Sequence, residues 1–184
     1  MTIARASLTI TYPARFLLIG SMNPCPCGYL GHPTRECTCT PQQIRRYMAK
    51  ISGPLLDRID LYIEVPALEY QEMRKERVGE SSAAIRERVE RAREIQEARF
   101  SGMGFHFNAH MGVKEIKEFC QLDNPSHSLL EAAVKRFGLS ARAYHRILKV
   151  ARTIADLEGS PGISPGHIAE AIQYRSLERR EGWV

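Results

Sequence analysis

The period of apolar positions changes near Pro66. Before it, Phe16–Ser21 (FLLIGS) runs apolar without interruption between Pro13 and Pro24, the pattern of a strand buried on both faces of a parallel sheet. Ile59, Leu61, Ile63 and Val65 alternate with Asp60, Tyr62 and Glu64, the two-residue period of a second strand. Between them, Gln42–Ile51 sets Ile44, Tyr47, Met48 and Ile51 at helical spacing. This part reads strand, loop, helix, strand.

Beyond Pro66 only helical stripes remain. Ser81 or Ser82 caps a long helix with Ile85, Val89, Ala92 and Ile95 on one face. Asn124-Pro125 opens another, carrying Leu129, Leu130, Ala133, Val134 and Phe137 and ended by Gly138. Ser140 caps a third, with Tyr144, Ile147, Leu148, Ala151, Ile154 and Ala155 apolar and Gly159 as its stop; Ser164-Pro165 starts the last, through about Leu177. Residues 67–80 and 100–111 read as loops, with the glycine-rich GMGFHFNAHMG the looser of them. The predicted class is α/β followed by all-α. Its parts are an α/β portion at 1–66, a linker and long helix at 67–111, and a helical domain at 112–184.

Composition narrows the function classes. The chain has 184 residues, 43% of them apolar, enough for one ordinary core or two small ones. The N-terminal stretch has no apolar core leading to a small-residue cleavage site, and no apolar run reaches the roughly 18 residues of a membrane span. A cytoplasmic protein with no membrane partner is expected. A net charge of +5 fits a nucleic-acid partner without requiring one.

The stretch MNPCPCGYLGHPTRECTCTP (22–41) holds four of the five cysteines, as Cys25-x-Cys27 and Cys37-x-Cys39. Four soft ligands close in sequence match a closed tetrahedral zinc site, although structural zinc knuckles more often use C-x₂₋₄-C. A disulfide knot fits a reducing compartment poorly. Reduced structural thiols are the remaining alternative. His32 in the same loop reads as solvated rather than as a ligand, and Cys120 on an apolar helical face reads as core.

Three motifs then point to one family. MNPCPCGYLGHP, SGPLLDRIDLYIEVP (52–66) and GLSARAYHRILKVARTIADLEG (138–159) follow one another in this order. In them, and over essentially its whole length, the chain resembles the magnesium-chelatase-like AAA+ ATPases of the competence helicase ComM group. No G-x-x-x-x-G-K-[ST] occurs and no apolar strand ends in Asp-Glu, so the Walker A and B elements are absent. The resemblance implies the C-terminal part of an AAA+ core, made of parallel strands plus a helix, followed by a helical lid.

By that resemblance, Asn23 after the first strand matches the sensor 1 asparagine, which orients an attacking water or touches the γ-phosphate; its bland alternative is a turn-forming residue before Pro24. Arg58 in LLDRID matches the arginine finger, which acts in trans on the neighbouring subunit's nucleotide, the alternative being a local pair with Asp57 or Asp60. Arg142 matches the sensor 2 arginine. It lies in the first turn of its helix, where the dipole favours acids, so a bound anion is a reason for it. Arg146 and Lys149 continue that face, either toward the anion or as its solvated side. Arg45-Arg46 and Arg74-Lys75 read either as contacts to DNA phosphates or as ordinary surface.

The leading expectation is the C-terminal segment of a hexameric, ATP-driven DNA translocase serving branch migration in transformation. Its partners are ATP, DNA and further copies of itself; ATP and Mg²⁺ act in the full-length protein and Zn²⁺ in the cysteine loop. Lacking both Walker elements, this chain by itself is expected to be inactive. The alternative is a stand-alone zinc-stabilised nucleic-acid-binding module without ATPase activity.

Overall fold

The structure, a computed structural model, describes residues 2–5, 7–13, 16–67, 74 and 79–175. The expected end of the last helix at Leu177, Lys75 and most of the 67–80 loop lie outside the described residues. Strands β1 (Thr2–Arg5) and β2 (Leu8–Thr11) pair antiparallel, Thr2 opposite Thr11 and Arg5 opposite Leu8. Helices α1 (Pro41–Met48), α2 (Gly53–Leu56) and α3 (Ser82–Arg99) follow. After a 3₁₀ turn at Asn108–His110 come α4 (Val113–Phe119), α5 (Asn124–Phe137), α6 (Ala141–Glu158) and α7 (Pro165–Gln173). The described chain is thus mostly helical with one small two-stranded sheet.

Local chemistry sets the helix ends. Thr40 and Gln43 form a reciprocal capping box at α1. The Asp123 carboxylate accepts the Ser126 amide at 2.8 Å, one residue ahead of the expected start of α5. The Ser140 hydroxyl accepts the Ala143 amide at 3.1 Å at the start of α6, and Gly159 ends that helix at φ 74°, a left-handed conformation that costs other residues a Cβ clash. Each cap satisfies amides or carbonyls that the helix itself leaves unpaired.

Helix α6 is the centre of the molecule. It buries Ala143, Ile147, Leu148, Ala151 and Ala155, and α3, α4 and α7 pack around it. Of these, Ile147, Leu148 and Ala151 make one continuous core with Phe100, Met111, Ile116, Cys120, Leu130, Ala133, Ile163, Ile168, Ala171 and Ile172. Truncating a core side chain such as Ile147 costs about 2–5 kcal/mol by the usual large-to-small series.

Three expectations need correction. Phe16–Ser21 and Ile59–Val65 form no strand, and Leu17 and Ile19 are each 84% exposed. A strand is made by its neighbours' hydrogen bonds, and neither segment has a neighbouring strand among the described residues. On α3 only Ala92 of the expected apolar face is buried. Ala92 and Gln96 are buried, whereas Ile85, Val89 and Ile95 stay at least 38% exposed. The helix is rotated so that Gln96 and Arg99 reach polar partners in the interior. Those partners explain the third correction: the glycine-rich loop is no loose connection, since Asn108 and Met111 within it are 1% and 2% exposed.

Candidate functional site

The two C-x-C pairs converge. The four sulfurs of Cys25, Cys27, Cys37 and Cys39 lie within 4.8 Å of one another, with Cys25–Cys27 at 3.4 Å, Cys25–Cys37 at 3.7 Å and Cys27–Cys37 at 3.6 Å. A disulfide needs about 2.05 Å, and all four are free thiols, which removes the disulfide knot. Four sulfurs held tetrahedrally at about 2.3 Å from a zinc ion stand about 3.8 Å apart. The observed spacing is close to that.

Backbone geometry aims the thiols inward. The Gly28 amide donates to the Cys25 carbonyl at 3.0 Å, closing a turn in which Gly28 takes φ 83°. The Cys27 amide points at the Cys39 sulfur at 3.4 Å. The Tyr29 amide pulls the Cys27 thiol down to about 5 against the effect of lost hydration, while lost hydration pushes Cys39 up to about 12. Thiols this close ionise as a set only around a cation. The donors are four, soft and close-set, so the cluster can hold a metal ion such as zinc with no open coordination position.

His32 is not one of the donors. Its Nδ1 accepts the Thr34 and Arg35 amides at 3.2 and 3.1 Å, making it the organiser of the turn that joins the two pairs. Arg35 stacks over the Tyr29 ring at 5.2 Å and donates to its hydroxyl at 2.7 Å. Asn23 is exposed, and its side-chain amide lies 3.9 Å from where a Cβ on Gly28 would stand, so it rests against the cysteine turn.

A second constellation forms where LLDRIDLY crosses the ends of α6 and α7. The Tyr62 amide donates to the Tyr174 carbonyl at 2.8 Å, and Arg175 donates to the Ile59 carbonyl at 2.7 Å with its guanidinium 5.6 Å from the Tyr62 ring. The Asp57 carboxylate accepts from the Ser140 hydroxyl at 3.0 Å and from Arg142 at 2.7 Å, with Arg175 3.9 Å away. Asp60 pairs with Arg146. Loss of hydration works to raise the Asp57 pKa, but the bonds from Arg142 and Ser140 and the charge of Arg175 outweigh it and hold it below the usual 3.8.

Both acids that flank Arg58 are therefore used by α6. Arg58 itself is exposed, donates to the Pro54 carbonyl at 2.7 Å and forms no ion pair among the described residues, so the expected local-pair alternative does not hold. Arg142 does meet an anion, as its helix position demands, and that anion is Asp57. Lys149 donates to the Ala109 carbonyl at 2.9 Å; like Arg146, it is bonded inside the chain rather than left on a solvated face. Arg45 and Arg46 are exposed on α1.

Sequence reasoning missed a buried ionic cluster near the C-terminal end of α6. Arg99 grips Asp156 at 2.7 Å, Arg152 bonds the same carboxylate at 3.1 Å, and the Asn108 amide adds a bond at 2.8 Å. The signal was present, because Arg152 and Asp156 lie one turn apart on the same stripe as Leu148, Ala151 and Ala155.

Among known proteins, the family model for magnesium chelatase, subunit ChlI C-terminal, matches residues 79–175, and that for magnesium chelatase, subunit ChlI, matches residues 1–73. Competence protein ComM of Haemophilus influenzae is 48% identical over 180 residues, which are 96% of this chain and 34% of that protein. The uncharacterized protein YifB of Escherichia coli is 44% identical over 179 residues, again 96% and 34%. The chain spans about a third of the length of the curated relatives it matches.

Proposed function

This chain belongs to the magnesium chelatase subunit ChlI family, and we propose that it is the C-terminal segment of a longer AAA+ motor that hydrolyses ATP to move on DNA. Its cysteine-bearing part, residues 1–66, completes the α/β core; residues 67–111 connect it to a helical lid at 112–184. The segment carries groups that respond to nucleotide, while the phosphate cradle and the Mg²⁺-holding acid are contributed from elsewhere in the longer protein.

The contrast within LLDRID carries this reading. Asp57 and Asp60 are both engaged by arginines of α6, which fixes the segment on the helices, and Arg58 between them faces solvent. An arginine so mounted suits a finger that reaches a nucleotide bound to the neighbouring subunit of a hexamer, where it neutralises charge developing on the transferred phosphoryl group. Asn23 acts as the polar group that orients water or meets the γ-phosphate, and Arg142 as the lid's phosphate contact. The exposed apolar runs at Phe16–Ser21 and Ile59–Val65 agree with strands whose neighbours lie in the rest of the motor.

In the cysteine loop, Cys25, Cys27, Cys37 and Cys39 would hold zinc, which supplies a crosslink and no chemistry of its own. That crosslink fixes the turn against which Asn23 rests. The likeness to a protein named for competence supports a role in handling transforming DNA, with branch migration as the proposed step. Exposed Arg45 and Arg46 supply positive charge for its phosphates.

The test is Arg58→Ala in the longer protein. Hydrolysis should fall by about 10³-fold or more with ATP binding nearly unchanged. Turnover at the wild-type rate rejects the finger.

A further inference from the structure

The net charge of the chain is not spread evenly. Residues 1–56 hold six basic side chains, Arg5, Arg15, Arg35, Arg45, Arg46 and Lys50, against the single acid Glu36, while over residues 57–184 basic and acidic side chains balance at 20 each. The whole excess of +5 therefore lies in the part that carries the cysteine loop. Zinc among four thiolates would return two negative charges to that loop and still leave a positive surplus. Partnering differs too. Arg88, Arg99, Arg142, Arg146 and Arg152 of the helical part are held by carboxylates. Arg35, Arg45, Arg46 and Lys50 are exposed and form no ion pair among the described residues.

Local structure gathers these cations. On α1, Met48 is buried and Ile44 and Tyr47 are half-buried, so the 3.6-residue period leaves Gln42, Arg45 and Arg46 on the outer face, with Lys50 just past the helix end. The Lys50 ammonium lies 6.0 Å from the Tyr47 ring, and the Arg35 guanidinium 5.2 Å from that of Tyr29. Arg35 stands two residues before Cys37, and Thr40, which caps α1, follows Cys39. The gathered sulfurs thus tie the Arg35 turn to the start of α1.

We propose that the cysteine loop and the outer face of α1 form a docking surface for single-stranded DNA. Arg45, Arg46 and Lys50 meet phosphates of the strand, and the Tyr29–Arg35 pair stacks on an unpaired base, which only a strand with free bases supplies. The loop then does more than fix the turn under Asn23, because it presents the stacking ring. This inference rests on the reading of the chain as part of a DNA motor, and it names the form of DNA held and the residues that hold it.

The experiment uses this 184-residue chain and fluorescein-labelled oligothymidylate, with affinity read by anisotropy over a range of salt concentrations. Wild type should bind, more weakly as salt rises. Arg45→Gln/Arg46→Gln should weaken binding about tenfold or more and make the log–log salt slope shallower by about 1.4, since each lost single-strand phosphate contact removes about 0.7. Lys114→Gln/Lys117→Gln, which removes the same charge from exposed positions on α4, should bind within about twofold of wild type. Tyr29→Leu should lose about tenfold with the slope unchanged, and Tyr29→Phe, which keeps the ring, should bind like wild type. Unlabelled duplex of the same length should compete about tenfold less well than the single strand. Thermal melts establish that each variant is folded.

Folded wild type that leaves oligothymidylate unbound, an equal loss in Lys114→Gln/Lys117→Gln, Tyr29→Leu that binds like wild type, or duplex that competes as well as the single strand each overturn the surface. The motor reading is decided separately, by ATP hydrolysis of the longer protein. If that protein turns over ATP faster with single-stranded DNA while this chain leaves oligothymidylate unbound, the motor stands and the surface falls. If this chain binds as expected while the longer protein hydrolyses no ATP, the surface stands and the motor falls.

Discussion

Cys25 and Cys37, twelve residues apart, bring their sulfurs to 3.7 Å without bonding. Nothing in the intervening loop buries enough apolar surface to hold them there, and ordering such a loop costs on the order of 1 kcal/mol per residue in backbone entropy. A tetrathiolate zinc site releases far more than that. Protein purified without chelator should carry close to one zinc per chain. Cys27→Ser or Cys37→Ser should lose the metal together with order across 25–39. Metal-free protein with titratable thiols and a rigid loop refutes the site.

The Arg99–Asp156 pair makes a stability prediction. The Asp156 side chain is fully buried and serves two guanidiniums and one amide at once. Asp156→Ala leaves Arg99 and Arg152 without their carboxylate in a dry interior and should cost about 3–5 kcal/mol, read from urea unfolding. A loss well under 1 kcal/mol means that water replaces the carboxylate.

The chain by itself should not hydrolyse ATP. It has a finger, a sensor asparagine and a lid arginine by the reading above, but no G-x-x-x-x-G-K-[ST] segment to cradle the phosphates. Phosphate release above background from highly purified chain, and lost on Arg58→Ala, contradicts its assignment as a partial motor.

What was legible in the sequence was local. Ser140, Gly138 and Gly159 marked the ends of their helices because a cap is decided by a few neighbouring residues. The cysteine cluster was legible because close spacing alone limits how far apart four sulfurs can stray. What was hidden depended on distant partners. FLLIGS has the composition of a buried strand, yet pairing decides whether it becomes one. Helix α4 has only Ile116 buried, too little for a visible stripe, and its one signal was Glu115 reaching back to the Gly112 amide at 2.8 Å. The α3 rotation followed Arg99, whose partner is 57 residues away. The functional consequence is largest at Arg142, where the helix position called for an anion and the chain supplied one from 85 residues earlier.

That anion gives the last prediction, a dependence on acidity. Asp57 loses hydration on docking, which works to raise its pKa, but Arg142, Ser140 and Arg175 together bring it below 3.8. A carboxyl depressed in the folded state stabilises at pH values above its unfolded pKa, and the contribution disappears as pH falls through the folded one. Between pH 7 and about 5, docking of the 57–62 segment should therefore not change. Below about pH 4, protonation of Asp57 should loosen it, seen as faster exchange of the Tyr62 amide, which bonds Tyr174. Asp60 is a second carboxylate beside it, paired with Arg146, so the assignment needs a difference. Arg142→Gln should raise the Asp57 carboxyl toward its ordinary value, followed by its side-chain carbon resonance, and shift the onset of loosening to higher pH. An Asp57 titration that is the same with and without Arg142 means that Arg142 does not hold the acid in solution.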